Sequence, residues 1–213
     1  MNGSYVPKII GFCETKLNSN IEQLYSIPGY TNVFNSNTTR SGGLALYINS
    51  NIKFRLIDEL CFIHSYIESL CIEIQLENEC YSVCLIYRRP GSDFDQFMLS
   101  YNHIICNMRR KNCLIFGDFN LDLLRYETSN IVESFVHSNF ENSFYSVVNK
   151  PTRVTSHSAT VIDHIWCNFV NNSFVSGVLL TEFLDHLAPF MRIVVDTEFR
   201  EPNRLYFIEI GVN

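Results

Sequence analysis

Several oxygen- and nitrogen-bearing side chains stand where apolar runs of this 213-residue chain stop. Glu14 ends Ile9-Ile10-Gly11-Phe12-Cys13, and Asp118, with Asn120 two residues on, follows Leu114-Ile115-Phe116-Gly117. Asp163 lies inside the run Val161 to Trp166, and Asp185-His186 precedes the run that starts at Pro189. The ends of strands in open α/β sheets are where ligand-binding groups collect. Taken singly, a carboxylate there usually shapes a turn or sits in solvent. As a converging set, carboxylates repel one another unless a cation lies among them. Oxygens from Glu, Asp and Asn suit Mg²⁺ or Mn²⁺ rather than zinc. One imidazole beside such a set fits phosphoryl chemistry.

The elements that must position these groups follow from periodicity. Lys8–Cys13, Gly43–Ile48, Leu70–Leu76, Tyr81–Tyr87, Cys113–Phe116, Val161–Trp166 and Pro189–Val195 are β-branched or aromatic-rich and read as strands. Leu70, Ile72, Ile74 and Leu76 share one face, and Glu77-Asn78-Glu79 turns into Tyr81, Val83, Leu85 and Tyr87, so a hairpin packed on one side is expected. Apolar residues at threes and fours predict a helix over Asp93–Arg110, with Ser92 as N-cap and Asp95 at the capping-box position. A shorter helix is expected from Ile131 to Asn139. No linker or repeat divides the chain, so one α/β domain over 1–199 is expected. The tail 200–213 is polar, then apolar from Leu205 to Ile210, and has no place in the pattern.

Composition narrows the function. With 46% hydrophobic and 18% charged residues, 17 Phe and 11 Tyr, the chain suits a large aromatic-rich core and excludes disorder. A net charge of −6 argues against a broad basic surface, so any DNA contact must be local. The eight cysteines form no CxxC pair and mostly sit in apolar runs, which reads as buried thiols in a reducing compartment, without zinc. Met1–Lys8 has no secretory pattern, and no apolar run approaches the ~20 residues of a membrane span. An intracellular protein is expected, the nucleus included, with no membrane and no obligate protein partner.

Six words in fixed order carry a resemblance: Phe12-Cys13-Glu14-Thr15-Lys16-Leu17, Gly42-Gly43-Leu44-Ala45-Leu46-Tyr47, Ile86-Tyr87-Arg88-Arg89-Pro90, Gly117-Asp118-Phe119-Asn120, Pro151-Thr152-Arg153 with Ser158-Ala159-Thr160-Val161-Ile162-Asp163, and Asp185-His186-Leu187-Ala188-Pro189. From Ile9 to Val195 the chain resembles the endonuclease/exonuclease/phosphatase superfamily, and within it the apurinic-type endonuclease domains of LINE-type (non-LTR) retrotransposons. The resemblance implies an α/β four-layer sandwich, two mixed β-sheets face to face with helices outside, and a Mg²⁺- or Mn²⁺-dependent phosphodiesterase site at one rim. It implies that Glu14 binds the ion, Asp118 activates a water, Asn120 orients it, and Asp163 holds His186 toward the scissile phosphate. Tyr87 would donate to a phosphate oxygen, and Asp185 would support the metal or the His loop. The bland reading of Tyr87 is a cap on its hairpin's apolar face, and that of His186 is a turn residue.

Arg88, Arg89, Arg153 and Lys150 lie beside these words and offer a local positive rim for a DNA backbone, though ordinary solvated charge serves equally well. His164, next to Asp163 on a strand, should face the other way. Two departures stand out. The family's first strand, with its Asn, and first helix are missing ahead of Glu14, which should uncover a sheet edge. Leu184 also stands where a Ser usually precedes Asp-His. The function expected is that of a DNA endonuclease nicking one strand for target-primed reverse transcription, its activity reduced by the truncation. The alternatives are a catalytically silent remnant with at most weak nucleic-acid binding, and a phosphatase of small or lipid phosphoesters.

Overall fold

The computed structural model describes residues 6–17, 21–35, 42–76, 79–169, 174–180, 186–195 and 204–212. Along the chain the first half runs β1 (Ile9–Cys13), β2 (Tyr30–Asn35), β3 (Leu44–Asn49), β4 (Phe54–Leu56), β5 (Glu68–Leu76), β6 (Glu79–Tyr87) and α1 (Phe94–Met108). The second half runs β7 (Asn112–Asp118), α2 (Asn130–Glu141), β8 (Tyr145–Ser146), β9 (Arg153–Val154), β10 (Ala159–Thr160), β11 (Asp163–Cys167), β12 (Phe174–Leu179), β13 (Ala188–Val195) and β14 (Arg204–Val212). The first sheet has the order β12-β13-β14-β1-β3-β2 and the second β4-β5-β6-β7-β11-β8, while β9 and β10 form a separate ribbon. Each sheet is mixed, with one parallel pair: β1 with β14, and β6 with β7. The β6–β7 pair is joined through α1, as a parallel connection requires.

Alternation along the strands builds two cores. Leu114 and Phe116 of β7 face the first sheet and meet Ile9, Leu44, Leu46 and Ile48. Cys113 and Ile115 face the other way, against Phe97, Tyr101 and Ile105 of α1 and Phe135 of α2. The second sheet is thus a middle layer covered on both sides, and each large side chain buried there contributes about 1.5–3 kcal/mol. For the same reason the β5–β6 hairpin is packed on both faces, not one: Cys71, Cys84 and Ile86 join the helix-side core. The sheets approach closely at Gly11, where a Cβ would come 2.5 Å from the Phe116 ring. On the outer face of the first sheet, the Tyr47 hydroxyl donates to the Tyr25 carbonyl (2.6 Å) and holds the one-turn 3-10 helix Glu22–Tyr25.

Four expectations change. The α1 N-cap is Asp93, whose Oδ1 accepts from the Gln96 amide (3.0 Å), because Ser92 is occupied with the Arg88 and Arg89 loop. Cys71 and Cys84 are joined in a disulfide, placed opposite each other by the β5–β6 register rather than by sequence spacing. The sheet edge expected to be uncovered is not at β1, which pairs with β3 on one side and β14 on the other. Residues 204–212, for which the pattern gave no place, form that inserted strand.

Candidate active site

The end of the second sheet carries a row of three polar side chains. Tyr87 sits opposite Asp118 in the parallel β6–β7 register, and Asp118 sits opposite Asp163 in the antiparallel β7–β11 register. Glu14 reaches the row from the end of β1 in the first sheet, where its carboxylate accepts from the Tyr87 hydroxyl. His186 approaches from the start of the β13 segment, its Nδ1 3.1 Å from Asp163 Oδ2. One donor atom from each of Asp118, Asp163 and His186 fits within a 4.8 Å span. Two site residues hold left-handed backbone, Glu14 at φ 55° and Asn120 at φ 49°. That conformation costs about 1–2 kcal/mol in an L-residue and persists only where the surroundings enforce it.

Local bonds supply that enforcement. After Glu14, the amides of Thr15 and Lys16 donate to the carbonyls of Gly43 (3.1 Å) and Gly42 (2.9 Å). The Asn120 amide donates to Asp118 Oδ1 (2.9 Å), and Asn120 Nδ2 donates to the Arg88 carbonyl (2.8 Å). Asp118 and Asp163 are almost fully buried. Burial first, and then the facing Asp163 carboxylate, push the Asp118 pKa up to about 8. Asp163 is also raised by burial, against the opposing pull of its His186 hydrogen bond. His186 is itself half-buried, which disfavours its cation, yet its bond to Asp163 and the charges of Asp163 and Asp118 leave its pKa raised. Burial and the Glu14 contact raise Tyr87, keeping the phenol protonated and a donor.

Two buried residues that the sequence reading did not single out hold this arrangement. Thr152 Oγ1 accepts from the amides of Ile162 (3.2 Å) and Asp163 (3.0 Å), and the Thr152 carbonyl accepts from the Leu187 amide (2.6 Å). It therefore clamps the His186 segment onto the Asp163 strand. Glu68 is fully buried; its carboxylate accepts from the Gly43 amide (2.6 Å) and from Arg89 Nη2 (2.9 Å). That joins the Gly42-Gly43 turn supporting Glu14 in one sheet to the Tyr87-Arg88-Arg89 segment of the other. Both bonds depend on pairing between distant segments. The sequence signals were the Thr in the Pro-Thr-Arg word, and the paired glycines: at Gly42, with φ 85°, a Cβ would lie 2.1 Å from Glu68 Oε1.

Of the four cations expected at a DNA rim, Arg153 and Lys150 are exposed and Arg89 is ion-paired with Glu68. Arg88 is a correction. It is buried, its guanidinium lies 5.4 Å from the Phe97 ring centroid, and it donates to the carbonyls of Ser92 (2.9 Å) and Asn120 (3.5 Å), so it braces the site loop from inside. Asp185 and Leu184 lie outside the described residues.

His164 occupies the opposite face of β11, fully buried and stacked on Phe119 at 4.8 Å. Its Nε2 lies within hydrogen-bonding distance of the carbonyls of Leu121 (2.8 Å) and Val161 (3.0 Å), while Nδ1 has no partner among the described residues. Burial lowers its pKa from 6.5 to about 4. The unfolded chain therefore takes up this proton first as pH falls: stability is full above about pH 6.5 and drains toward pH 4 by about 1.4 kcal/mol per pH unit. From pH 7.5 to pH 5 the parent is expected to lose about 2 kcal/mol relative to His164→Phe in urea unfolding, the raised carboxylates and His186 contributing alike to both proteins. Equal losses in the two proteins would assign the titration elsewhere.

Two mixed sheets packed face to face, with acids, a phenol and an imidazole meeting at one rim, define a class of α/β sandwich. The sequence profile of the Endonuclease/Exonuclease/phosphatase family matches residues 4–186, and the chain belongs to that family. No curated protein sequence matches it significantly. Among solved structures, the endonuclease domain of TRAS1, a telomere-specific non-LTR retrotransposon, is similar with a TM-score of 0.66 at 10% identity, over 87% of this chain and 97% of that one. The 3′ phosphatase NExo from Neisseria, bound to a product DNA hairpin, gives 0.62 at 15% identity over 91% of each chain. The human Nocturnin catalytic domain gives 0.56 at 15% identity over 86% of this chain and 73% of that one. At these identities the likeness is one of fold. No helix among the described residues is long and apolar enough to cross a membrane.

Proposed function

We propose that this chain is a divalent-metal-dependent phosphodiesterase, a DNA endonuclease that nicks one strand and exposes a 3′-hydroxyl for reverse transcription. The observation that carries the reading is the meeting of Glu14, Tyr87, Asp118, Asp163 and His186 at one rim. The donor set fits a hard cation: its buried carboxylates are raised in pKa by burial and by one another, and an ion held by Glu14 and its neighbours, with Asp185 as a further candidate, relieves that crowding. Bound there, Mg²⁺ or Mn²⁺ supplies positive charge to the phosphoryl oxygens.

The chain's own residues do the rest. Asp118, ionised once a bound cation relieves that crowding, accepts the proton of the attacking water, with Asn120 Oδ1 as the neighbouring acceptor that aligns it. The water oxygen bonds to phosphorus as the bond from phosphorus to O3′ breaks, and O3′ leaves as a hydroxyl after taking a proton from solvent. His186, bound to Asp163 through Nδ1, in its protonated form donates from Nε2 to the phosphoryl oxygens as charge builds. Tyr87 donates beside it. Exposed Arg153 and Lys150 supply the local attraction an acidic protein needs for a DNA backbone.

The test is nicking of supercoiled plasmid in Mg²⁺ by the chain, Asp118→Ala and His186→Ala. Mg²⁺-dependent nicking by the parent alone is expected, with a loss of at least about a hundredfold in each variant. The same background in all three would sink the enzyme reading.

A further inference from the structure

Outside the catalytic rim, the segment between the Asp58–Leu60 turn and β5 carries aromatic rings at every second residue. Phe62 and His64 stack at 5.5 Å between centroids and 23° between planes, and His64 and Tyr66 at 5.3 Å and 28°. His103 of α1 continues the series from Phe62 at 6.3 Å. Rings that nearly parallel and that far apart are displaced sideways, so the series is a staircase with part of each face uncovered. Its backbone is fixed: Phe62 and Ser69 exchange amide-to-carbonyl bonds (3.2 and 3.0 Å), the His64 amide donates to Ile67 (2.8 Å), and Asn35 Nδ2 donates to the Phe62 carbonyl (2.9 Å). Phe62 and Tyr66 lean on the helix-side core, while His64 is exposed. The hydroxyl of Ser92 reaches the Tyr66 carbonyl (3.5 Å), and Arg88 ties Ser92 to Asn120. The staircase is therefore anchored to the loop that carries a site residue.

We infer that Phe62, His64 and Tyr66 form a stacking platform for unpaired nucleobases of single-stranded DNA, next to the nicking site. This rests on the endonuclease reading. A rigid, wet-edged series of flat rings matches the face every base presents, whatever its sequence. The neighbouring charges on the turn are Asp58 and Glu59, which repel phosphates, so the platform holds bases and leaves the backbone to the cations of the rim.

The test is fluorescence anisotropy in EDTA with labelled oligo-dT and an abasic oligonucleotide of the same length. The parent binds oligo-dT more tightly than the abasic strand. His64→Ala weakens oligo-dT binding about tenfold, and His64→Tyr restores it, because one base–aromatic stack is worth roughly five- to a hundredfold in affinity. The slope of affinity against salt stays the same in all three, since no phosphate contact is lost. Equal affinity for the two strands in the parent, or no difference between His64→Ala and the parent, overturns the platform. Plasmid nicking is read separately: nicking with ring-independent binding sinks the platform alone, and ring-dependent binding without nicking sinks the endonuclease alone.

Discussion

Gly117→Ala is expected to remove at least about 4 kcal/mol of stability, a loss seen as a large fall in the urea midpoint or as failure to accumulate folded protein. Gly117 precedes Asp118 with φ at 139°, and a Cβ there would lie 1.9 Å from the Ile86 carbonyl oxygen and 2.9 Å from the Ile86 nitrogen and carbonyl carbon. Those atoms are backbone of β6, paired to Gly117 in the parallel register at the centre of the second sheet, with cores on both sides. No side chain can swing away, so the strands must separate or the peptide must turn over, and either moves Asp118. A domain commonly has only about 5–15 kcal/mol of stability in total. Gly29→Ala separates strain from collision: φ is 85° there but nothing lies within 4 Å, so about 1–2 kcal/mol is expected. Similar costs at the two positions would show that the close approach at Gly117 is not what the fold depends on.

Asp163→Asn is expected to lower kcat by about 10²–10⁴ while shifting stability by less than about 1 kcal/mol. The amide keeps an oxygen for His186 Nδ1 but no charge to favour the imidazolium, and the fold loses a buried carboxylate whose ionisation burial already disfavours. The pH profile carries the sign. His186 acts protonated, so activity falls as pH rises through its pKa, which Asp163 holds up. Without that charge the alkaline limb moves to lower pH. A loss of kcat with an unmoved limb would remove His186 from the role of proton-bearing donor.

What the sequence reveals of the site is what lies at the end of a run. Glu14, Tyr87, Asp118 and Asp163 each close or interrupt an apolar stretch, and the structure brings them together with His186 because strands of both sheets terminate at that rim. Alternation likewise puts His164 on the far face of β11. Arg88 misleads because sequence shows a charge but not its surroundings: a cation beside a loop word reads as surface, whereas Phe94 and Phe97 receive it inside. Glu68 and Thr152 act through partners 25 and 10 residues away, so no local pattern marks them. The same holds for Cys71 and Cys84, whose meeting depends on hairpin register. The strand 204–212 is the largest omission, and its apolar pattern says nothing of which neighbours it enters between.

That insertion sets the order of assembly. β14 follows every other strand of the first sheet in sequence, yet it stands between β13 and β1. While the ribosome is still making residues before 204, the sheet can exist only as two unjoined pieces, β12-β13 and β1-β3-β2, with Glu14 on the edge of one of them. Closure waits for residues 204–212 to slip into the gap, so two separately formed pieces are joined by the strand made last among them.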